Sequence, residues 1–202
     1  MRVSLAALAA LFSFAVASPA LAGWGALPTG VPVSTAFGDQ HLPRSTPDGA
    51  GGVLVVWVDL RSGGYDLYAQ HVDASGAPLW TVNGVPVCTA AGLQDLPVLV
   101  ADGSGGAIVA WEGVRGASYD IYAQRLAANG TPQWTPNGVL VCGATDEQSA
   151  PTIVSDGQGG AIVAWTDLRG GVSTDVYAQR LNGAGAAQWA GNGVALCTAP
   201  ND

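Results

Sequence analysis

Three arginines at one repeated position are the residues best suited to bind a ligand, namely Arg61, Arg115 and Arg169. Each is followed a few residues later by an aspartate, in order Asp66, Asp120 and Asp175. A guanidinium binds a carboxylate through two parallel hydrogen bonds. The arginines therefore either hold these aspartates in a structural clamp across a loop, or converge on the carboxylate of a ligand such as an acidic glycan.

A second repeated feature is the string Asp-Gly-x-Gly-Gly, which begins at Asp48, Asp102 and Asp156. A carboxylate beside a flexible turn could contribute to a calcium site, which makes these aspartates weak calcium candidates. However, each turn offers one carboxylate, whereas calcium takes about 6 to 8 oxygen ligands. Aspartate is also a common turn residue because its side chain binds the backbone two residues on. We therefore predict turns without a metal.

The three cysteines, Cys88, Cys142 and Cys197, also occupy one repeated position. Equivalent positions in neighbouring repeats should lie farther apart than the roughly 7 Å Cα separation that a disulfide allows. Buried free thiols are the expectation, and the chain has no Cys-x-x-Cys pair that would suggest zinc. We predict no cofactor.

An enzyme would require catalytic groups that depart from the repeat. The glutamates are Glu112 and Glu147, and Tyr68, Tyr122 and Tyr177 are repeated residues expected to pack. The main departures from the repeat are Phe37, His41, His71 and Asp146-Glu147, which we expect in or beside loops. The sequence therefore predicts no catalytic residue.

The elements that position these residues repeat about every 54 residues. The seven tryptophans form two series with this spacing: Trp24, Trp80, Trp134 and Trp189, and then Trp57, Trp111 and Trp165. The string Gly-Gly-Ala-Ile-Val-Ala-Trp ends at Trp111 and again at Trp165, and Tyr-Ala-Gln recurs three times. Internal periods of this length are typical of solenoids and propellers.

Each copy indicates four short strands and no helix. In the second copy we predict strands at 96–101, 107–111 and 120–126, and a fourth that starts near Trp134 and continues over 138–142. The Asp-Gly-rich turn and Asn129-Gly130 are hairpin signals. The strand 107–111 is apolar on both faces, as in a propeller blade packed between neighbouring blades. We therefore expect Trp57, Trp111 and Trp165 to be buried between blades.

The sequence predicts an all-β fold of propeller-type, four-stranded blades, with three copies forming a partial propeller. Tandem β-sandwiches, or another self-contained β fold, are the alternative. The β-repeat region runs over 23–202, with copies at about 24–79, 80–133 and 134–188 and a partial copy at 189–202. Closed propellers have about 4 to 8 blades, so we expect a piece of a longer chain or self-association through exposed blade faces.

The repeated strings Gly-Gly-Ala-Ile-Val-Ala-Trp, Asp-Leu-Arg, Asp-Val-Tyr-Ala-Gln-Arg and Asn-Gly-Val resemble tandem repeats of large secreted bacterial proteins that look like β-propellers. The resemblance covers nearly all of 23–202. It implies a scaffold or binding surface, and it names no ligand.

The chain begins with the pattern of a secretory signal. Met1-Arg2 precedes an apolar run over 5–17, and Ser18-Pro19-Ala20-Leu21-Ala22 resembles a cleavage site. We predict a signal peptide over 1–22, cleaved after Ala22, and an extracellular or periplasmic location. The run is too short for a membrane span.

Composition excludes other classes. The formal net charge is −8 and the chain has no lysine, which argues against a nucleic-acid partner. The expected function is a secreted, non-catalytic repeat module that acts as a scaffold or binds a glycan or protein at the cell surface. The alternative is a sialidase-like or other glycan-processing enzyme fragment, in which the three arginines would hold the substrate.

Overall fold

The computed structural model describes residues 30–197, and in this range it consists of twelve β-strands with no helix. The predicted signal peptide, its cleavage site, Trp24 and residues 198–202 lie outside the described residues. No helix within residues 30–197 is long and apolar enough to cross a membrane.

The strands form three separate four-stranded antiparallel sheets in which sequence neighbours pair. The first sheet contains β1 (Gln40–Pro47), β2 (Val53–Asp59), β3 (Asp66–Val72) and β4 (Val85–Cys88). The second contains β5 (Leu93–Ala101), β6 (Ala107–Val114), β7 (Tyr119–Leu126) and β8 (Val139–Cys142). The third contains β9 (Gln148–Ser155), β10 (Ala161–Asp167), β11 (Asp175–Leu181) and β12 (Val194–Cys197). We call these sheets blades 1, 2 and 3.

The all-β prediction and the four strands in each copy are confirmed. The boundaries between blades differ from the boundaries between copies that the tryptophan spacing gives. The strands β4, β8 and β12 complete the sheets of β1–β3, β5–β7 and β9–β11 and do not begin the next unit. The segment around Pro132 that was expected to start the fourth strand contributes one isolated bridge to Leu126. The arrangement fits a blade-type fold, and no closed ring is present among the described residues.

The core lies between the blades. We call the face of each sheet that contains Trp57, Trp111 or Trp165 the front face, and the opposite face the back face. The back face of blade 1, with Leu54, Val56 and Leu67, packs against Val109 and Trp111 on the front face of blade 2. The back face of blade 2 packs in the same way on the front face of blade 3. Trp57, Trp111 and Trp165 have exposed fractions of 3%, 0% and 2%, which confirms their predicted burial. Trp111 and Trp165 lie between blades as expected, whereas no described blade covers the face that contains Trp57.

A buried glutamine anchors the incoming fourth strand of each blade. Gln70 is fully buried, and its side-chain oxygen accepts hydrogen bonds from the backbone N–H groups of His71 and Trp80. Its amide nitrogen donates to the carbonyl of Thr81 at 2.9 Å. Gln124 and Gln179 make the corresponding bonds in blades 2 and 3. Each amide therefore satisfies three backbone groups in a position that excludes water.

The Asn-Gly turn before each fourth strand is fixed by the blade tryptophan. Gly138 has a φ of +92°, and a Cβ atom added there would lie 2.5 Å from the ring of Trp111. The equivalent glycines, Gly84 and Gly193, approach Trp57 and Trp165 equally closely. Glycine is therefore required by both its backbone conformation and the adjacent ring.

Two glycine substitutions separate these requirements. Gly103 also has positive φ, +75°, but an added Cβ would have no atom within 4 Å. We expect Gly138→Ala to destabilise the protein by about 1 to 3 kcal/mol more than Gly103→Ala, because the methyl group also overpacks the Trp111 ring. Denaturant unfolding of both variants measures the difference, and equal free energies of unfolding would contradict this packing.

Candidate functional site

The repeated arginine of blade 1 is bound by the aspartate two residues before it in sequence. Arg61 donates from Nε to Oδ1 of Asp59 at 2.8 Å and from a terminal nitrogen to Oδ2 at 2.6 Å. Trp57 donates its indole N–H to the same Oδ2 at 2.8 Å. The guanidinium carbon lies 3.8 Å from the centre of the Tyr68 ring. Arg61 is thus bound bidentately and stacked on an aromatic face.

Blade 3 repeats this arrangement with Trp165, Asp167, Arg169 and Tyr177. The expected clamp to the aspartate that follows each arginine is wrong for both blades, since the bidentate partner precedes the arginine by two residues. Asp66 instead accepts a hydrogen bond from the Ser62 hydroxyl. The strings Trp-Val-Asp-Leu-Arg and Trp-Thr-Asp-Leu-Arg could have indicated this arrangement, because a tryptophan and an aspartate two residues apart in a strand lie on the same face.

Blade 2 departs from this pattern because Gly113 stands where its neighbours have the aspartate. Trp111 donates instead to Oε1 of the buried Gln94 at 3.0 Å. A Cβ added at Gly113 would lie 2.8 Å from that oxygen, so the glutamine side chain fills the space. Arg115 still stacks on Tyr122 at 3.8 Å, and it donates to Asn137 O and to the Cys88 sulfur.

The carboxyl groups of Asp59 and Asp167 have lowered pKa values. Burial opposes their ionisation, but hydrogen bonds from the adjacent arginine and tryptophan outweigh it and lower both pKa values. The three repeated arginines therefore each have a structural role within a blade. Their ligand-binding role stays a prediction.

The turn aspartates are bound by basic side chains. Asp102 Oδ1 accepts the N–H groups of Ser104 and Gly106, while Oδ2 accepts two hydrogen bonds from Arg125 at 3.0 and 2.8 Å. Asp156 and Arg180 repeat this pair in blade 3, and Asp48 pairs with His71 in blade 1. Nitrogen donors thus engage the oxygens that the calcium interpretation requires. Within residues 30–197 no group of three metal-ligating side chains occurs.

The cysteines are free, and their environments differ. Cys88 and Cys142 are buried and each accepts a hydrogen bond from the arginine of the next blade at 3.2 Å. Burial raises the pKa of the Cys142 thiol to about 11, so it stays protonated. Cys197 is exposed, which corrects the expectation of three buried thiols. No blade follows Cys197 among the described residues.

The innermost strands of the three blades line a groove of about 270 Å³. Its lining residues are Arg44, Ser45, Val98, Leu99, Thr152 and Ile153. Arg44, Val98 and Thr152 occupy equivalent repeat positions, so the groove has one charged side chain where its neighbours are apolar or neutral. Arg44 is exposed and makes no ion pair within the described range, where it donates to the carbonyl of Pro43 at 3.2 Å. Sequence comparison of the copies could have found this departure.

Two carboxylates face each other where β5 and β6 pair. Asp95 and Glu112 are cross-strand partners, and the Glu112 carboxylate accepts the N–H of Ala150 from blade 3 at 2.9 Å. Burial raises the pKa of Glu112, and the charges of Asp95 and Glu147 add to that rise. Ala150 has a φ of +51°, and Leu42 and Leu96 have the same left-handed conformation at equivalent bulges. Backbone strain of this kind often accompanies functional sites.

The histidines that depart from the repeat lie at the ends of strands, beside the loops. His71 lies in β3, pairs with Asp48 at 2.9 Å and packs edge-on against Trp80. His41 lies in β1 and contacts the Tyr65 ring edge-on at 5.7 Å. Phe37 is exposed, and Asp146-Glu147 lies before β9.

No protein-family model and no curated protein sequence matches this chain. The crystal structure of an endo-arabinase from Bacteroides thetaiotaomicron VPI-5482 is similar to it, with a TM-score of 0.50 and 19% sequence identity. The match covers 81% of this chain and 64% of the endo-arabinase chain, so this chain spans less than two thirds of that structure. At this identity the similarity shows the fold alone.

Removing one buried carboxylate tests the arginine arrangement. We expect Asp167→Asn to destabilise the protein by about 2 to 4 kcal/mol at pH 7, because Arg169 loses its ionic partner beside the Trp165 indole. The exposed Asp146→Asn is the control and should have little effect. Thermal or denaturant unfolding measures both.

The same variant has a defined pH dependence. Because the folded-state pKa of Asp167 is lowered, its stabilisation is present above the ordinary pKa of 3.8 and is lost as pH falls through the folded value. The stability gap between wild type and Asp167→Asn should therefore narrow below about pH 4. A constant gap from pH 7 to pH 3 would contradict this assignment.

Proposed function

We propose that this chain is a secreted, non-catalytic β-propeller-type module that binds a glycan or protein and acts as a scaffold at the cell surface. The observation that carries the proposal is the groove shared by the three innermost strands, which contains the exposed Arg44. The secretory signal predicted from the sequence of residues 1–22 and the resemblance to secreted repeat proteins support the location.

The contacts between blades support a partial propeller. β1 lies beside β5, and β5 lies beside β9, so the first strands of successive blades are neighbours. The faces of the sheets pack in the same order along the chain. This is the arrangement expected of three consecutive blades around a common axis.

The use of the repeated polar residues supports a non-catalytic role. In each blade the guanidinium of the repeated arginine stacks on the ring of the repeated tyrosine. In blades 1 and 3 the arginine makes the same hydrogen bonds to the equivalent aspartates, Asp59 and Asp167. Groups that make one contact three times serve the fold, whereas a site normally departs from the repeat.

Arg44 is the departure that fits a binding site. Its guanidinium lies on a concave surface with the polar Ser45 and Thr152 and the apolar Val98 and Leu99. Planar donors beside apolar surface suit a sugar that carries hydroxyl or carboxylate groups. A carboxylate-bearing glycan is therefore the ligand class we propose for this groove.

Binding to a glycan array tests this function. We expect carboxylate-bearing glycans to bind wild type, and we expect Arg44→Ala to weaken binding about tenfold or more, as loss of one charged hydrogen bond does. Arg44→Lys keeps the charge and should retain part of the affinity, while Ser104→Ala, at an exposed serine outside the groove, is the control. Retention of full binding by Arg44→Ala would contradict this site.

The array also tests the repeated arginines. Arg61→Ala, Arg115→Ala and Arg169→Ala remove the residues that the sequence suggested for glycan binding. Loss of binding in these variants with an unchanged melting temperature would move the site to the arginine series. Loss of stability would agree with their observed contacts.

A glycan-processing enzyme is the second candidate. It is favoured by the buried Glu112, whose pKa is raised by burial and which lies opposite Asp95 on the paired strand, since glycoside hydrolysis uses a pair of carboxyl groups. The similarity to an endo-arabinase is compatible with it.

Hydrolysis assays separate the two candidates. For the binding module we expect no release of dye from fluorogenic arabinosides or sialosides at pH 4 to 8. Release by wild type that disappears in Glu112→Gln, with the fold retained, would replace the binding module with the enzyme. The matched control is Glu147→Gln, which changes an exposed carboxylate nearby.

A further inference from the structure

The back face of blade 3 has the composition of an interior surface. We call it the end face. Its apolar residues are Ile162, Ala164, Val176, Trp189 and Leu196, and Arg180, paired with Asp156, lies opposite Ile162. Trp189 is 38% exposed, whereas the equivalent Trp80 and Trp134 are 6% and 8% exposed. The same side chain is thus buried wherever a following blade covers it.

The neighbouring aliphatic positions show the same contrast. Leu196 is 62% exposed, while the equivalent Val87 and Val141 are 3% and 4% exposed. Val176 is also exposed, whereas Leu67 and Ile121 at its equivalent positions are fully buried. A contiguous apolar surface of this kind marks an interaction site.

The two internal blade contacts define what the end face would bind. Trp80 donates its indole N–H to the carbonyl of Ala128 at 2.8 Å, and Trp134 donates to Gly183 at 3.1 Å. Both acceptors lie in the turn after the third strand of the next blade. Gly130 and Gly185 in these turns lie directly against the tryptophan rings.

We propose that the end face binds the front face of blade 1 from a second copy of this chain, which continues the blade order head to tail. This rests on the propeller-type arrangement proposed above. The front face of blade 1 has Val55, Trp57 and Tyr68 where blade 2 has Val109, Trp111 and Tyr122. It is partly open, with a cleft of about 210 Å³ beside Val55 and Trp57.

The second copy has the groups that Trp189 requires. Ala74 and Gly76 of blade 1 occupy the positions of Ala128 and Gly130. Trp189 donates no indole hydrogen bond within residues 30–197, so the carbonyl of Ala74 in the second copy is its acceptor. Cys197 would lie beside Arg61, as Cys88 lies beside Arg115.

Residues 30–36 compete with this contact. The N–H of Thr35 donates to the Asn83 side chain at 2.8 Å. Thr89 and Gly143, which follow the first two cysteines, donate in the same way to Asn137 and Asn192 of the next blade. The segment 30–36 therefore occupies, on blade 1, the position that the end of β12 takes in the head-to-tail contact.

Sedimentation of the full chain tests the proposal with a matched pair of variants. Leu196 lies in β12 on the end face, and Leu140 lies in β8 on an outer surface with a similar exposed fraction, 54%. We expect concentration-dependent association of wild type and Leu140→Arg, and at least tenfold weaker association of Leu196→Arg. Equal association of the two variants, or a monomeric wild type up to 0.1 mM, would overturn the proposal.

Thr35→Pro gives the opposite effect. It removes the N–H and the hydroxyl that both donate to the Asn83 side chain. Loss of these two hydrogen bonds, about 0.5 to 1.5 kcal/mol each, should strengthen association about 5-fold or more. A variant that merely damaged the fold would weaken association instead. Unchanged association would show that residues 30–36 do not compete.

Alkylation of Cys197 provides a second measurement. The exposed thiol should react with iodoacetamide in dilute protein, and it should be protected as association proceeds. Association without protection of Cys197 would mean that another surface is used. Glycan binding that persists in a monomeric protein would sink this inference and leave the proposed function standing.

Discussion

The structure depends on the burial of both faces of each sheet by its neighbours. A blade such as β5 to β8 is apolar on its front face, with Val109 and Trp111, and on its back face, with Ile108 and Ile121. Neither face can be left to water without a large loss of the hydrophobic free energy that holds a small β-sheet together. A single repeat is therefore an incomplete unit, and the sheets are stable through contact with one another.

The polar residues inside the molecule are arranged to make that burial possible. Indole and amide groups between blades must find partners, because an unpaired buried polar group costs about 1 to 3 kcal/mol. Asp59 and Asp167 accept the indole N–H of the adjacent tryptophan, and Gln94 does so in blade 2. The arginine that forms an ion pair with each of these aspartates stacks on a tyrosine ring. The aspartate and arginine of blades 1 and 3 are thus explained by the buried tryptophan beside them, whose indole N–H requires an acceptor.

The sequence was sufficient for the features that depend on local pattern. Alternation, Gly-rich turns and the period placed the strands of blade 2 within a few residues and correctly predicted the burial of Trp111.

The sequence was insufficient where the position of a residue in the row of blades decides its environment. Cys197 has the same place in its repeat as Cys142, yet it is exposed because no described blade covers it. The partner of Arg61 was missed because the following aspartate recurs in all three copies as Asp66, Asp120 and Asp175, whereas the position of Asp59 is a glycine in the second copy. The pairing of His71 with Asp48 required knowing that β3 passes beside the first turn.

The exposed Trp189 has a consequence for how the molecule opens. In a linear array each unit is held by its nearest neighbours, so an end unit with one covered face has fewer stabilising contacts than the unit between two others. Among residues 30–197, blade 3 is covered on its front face alone, while blade 2 is covered on both faces. Backbone amides of β10 and β11 should then exchange with solvent through a partial opening that leaves β6 and β7 protected, and unfolding would proceed as a front that advances from that end.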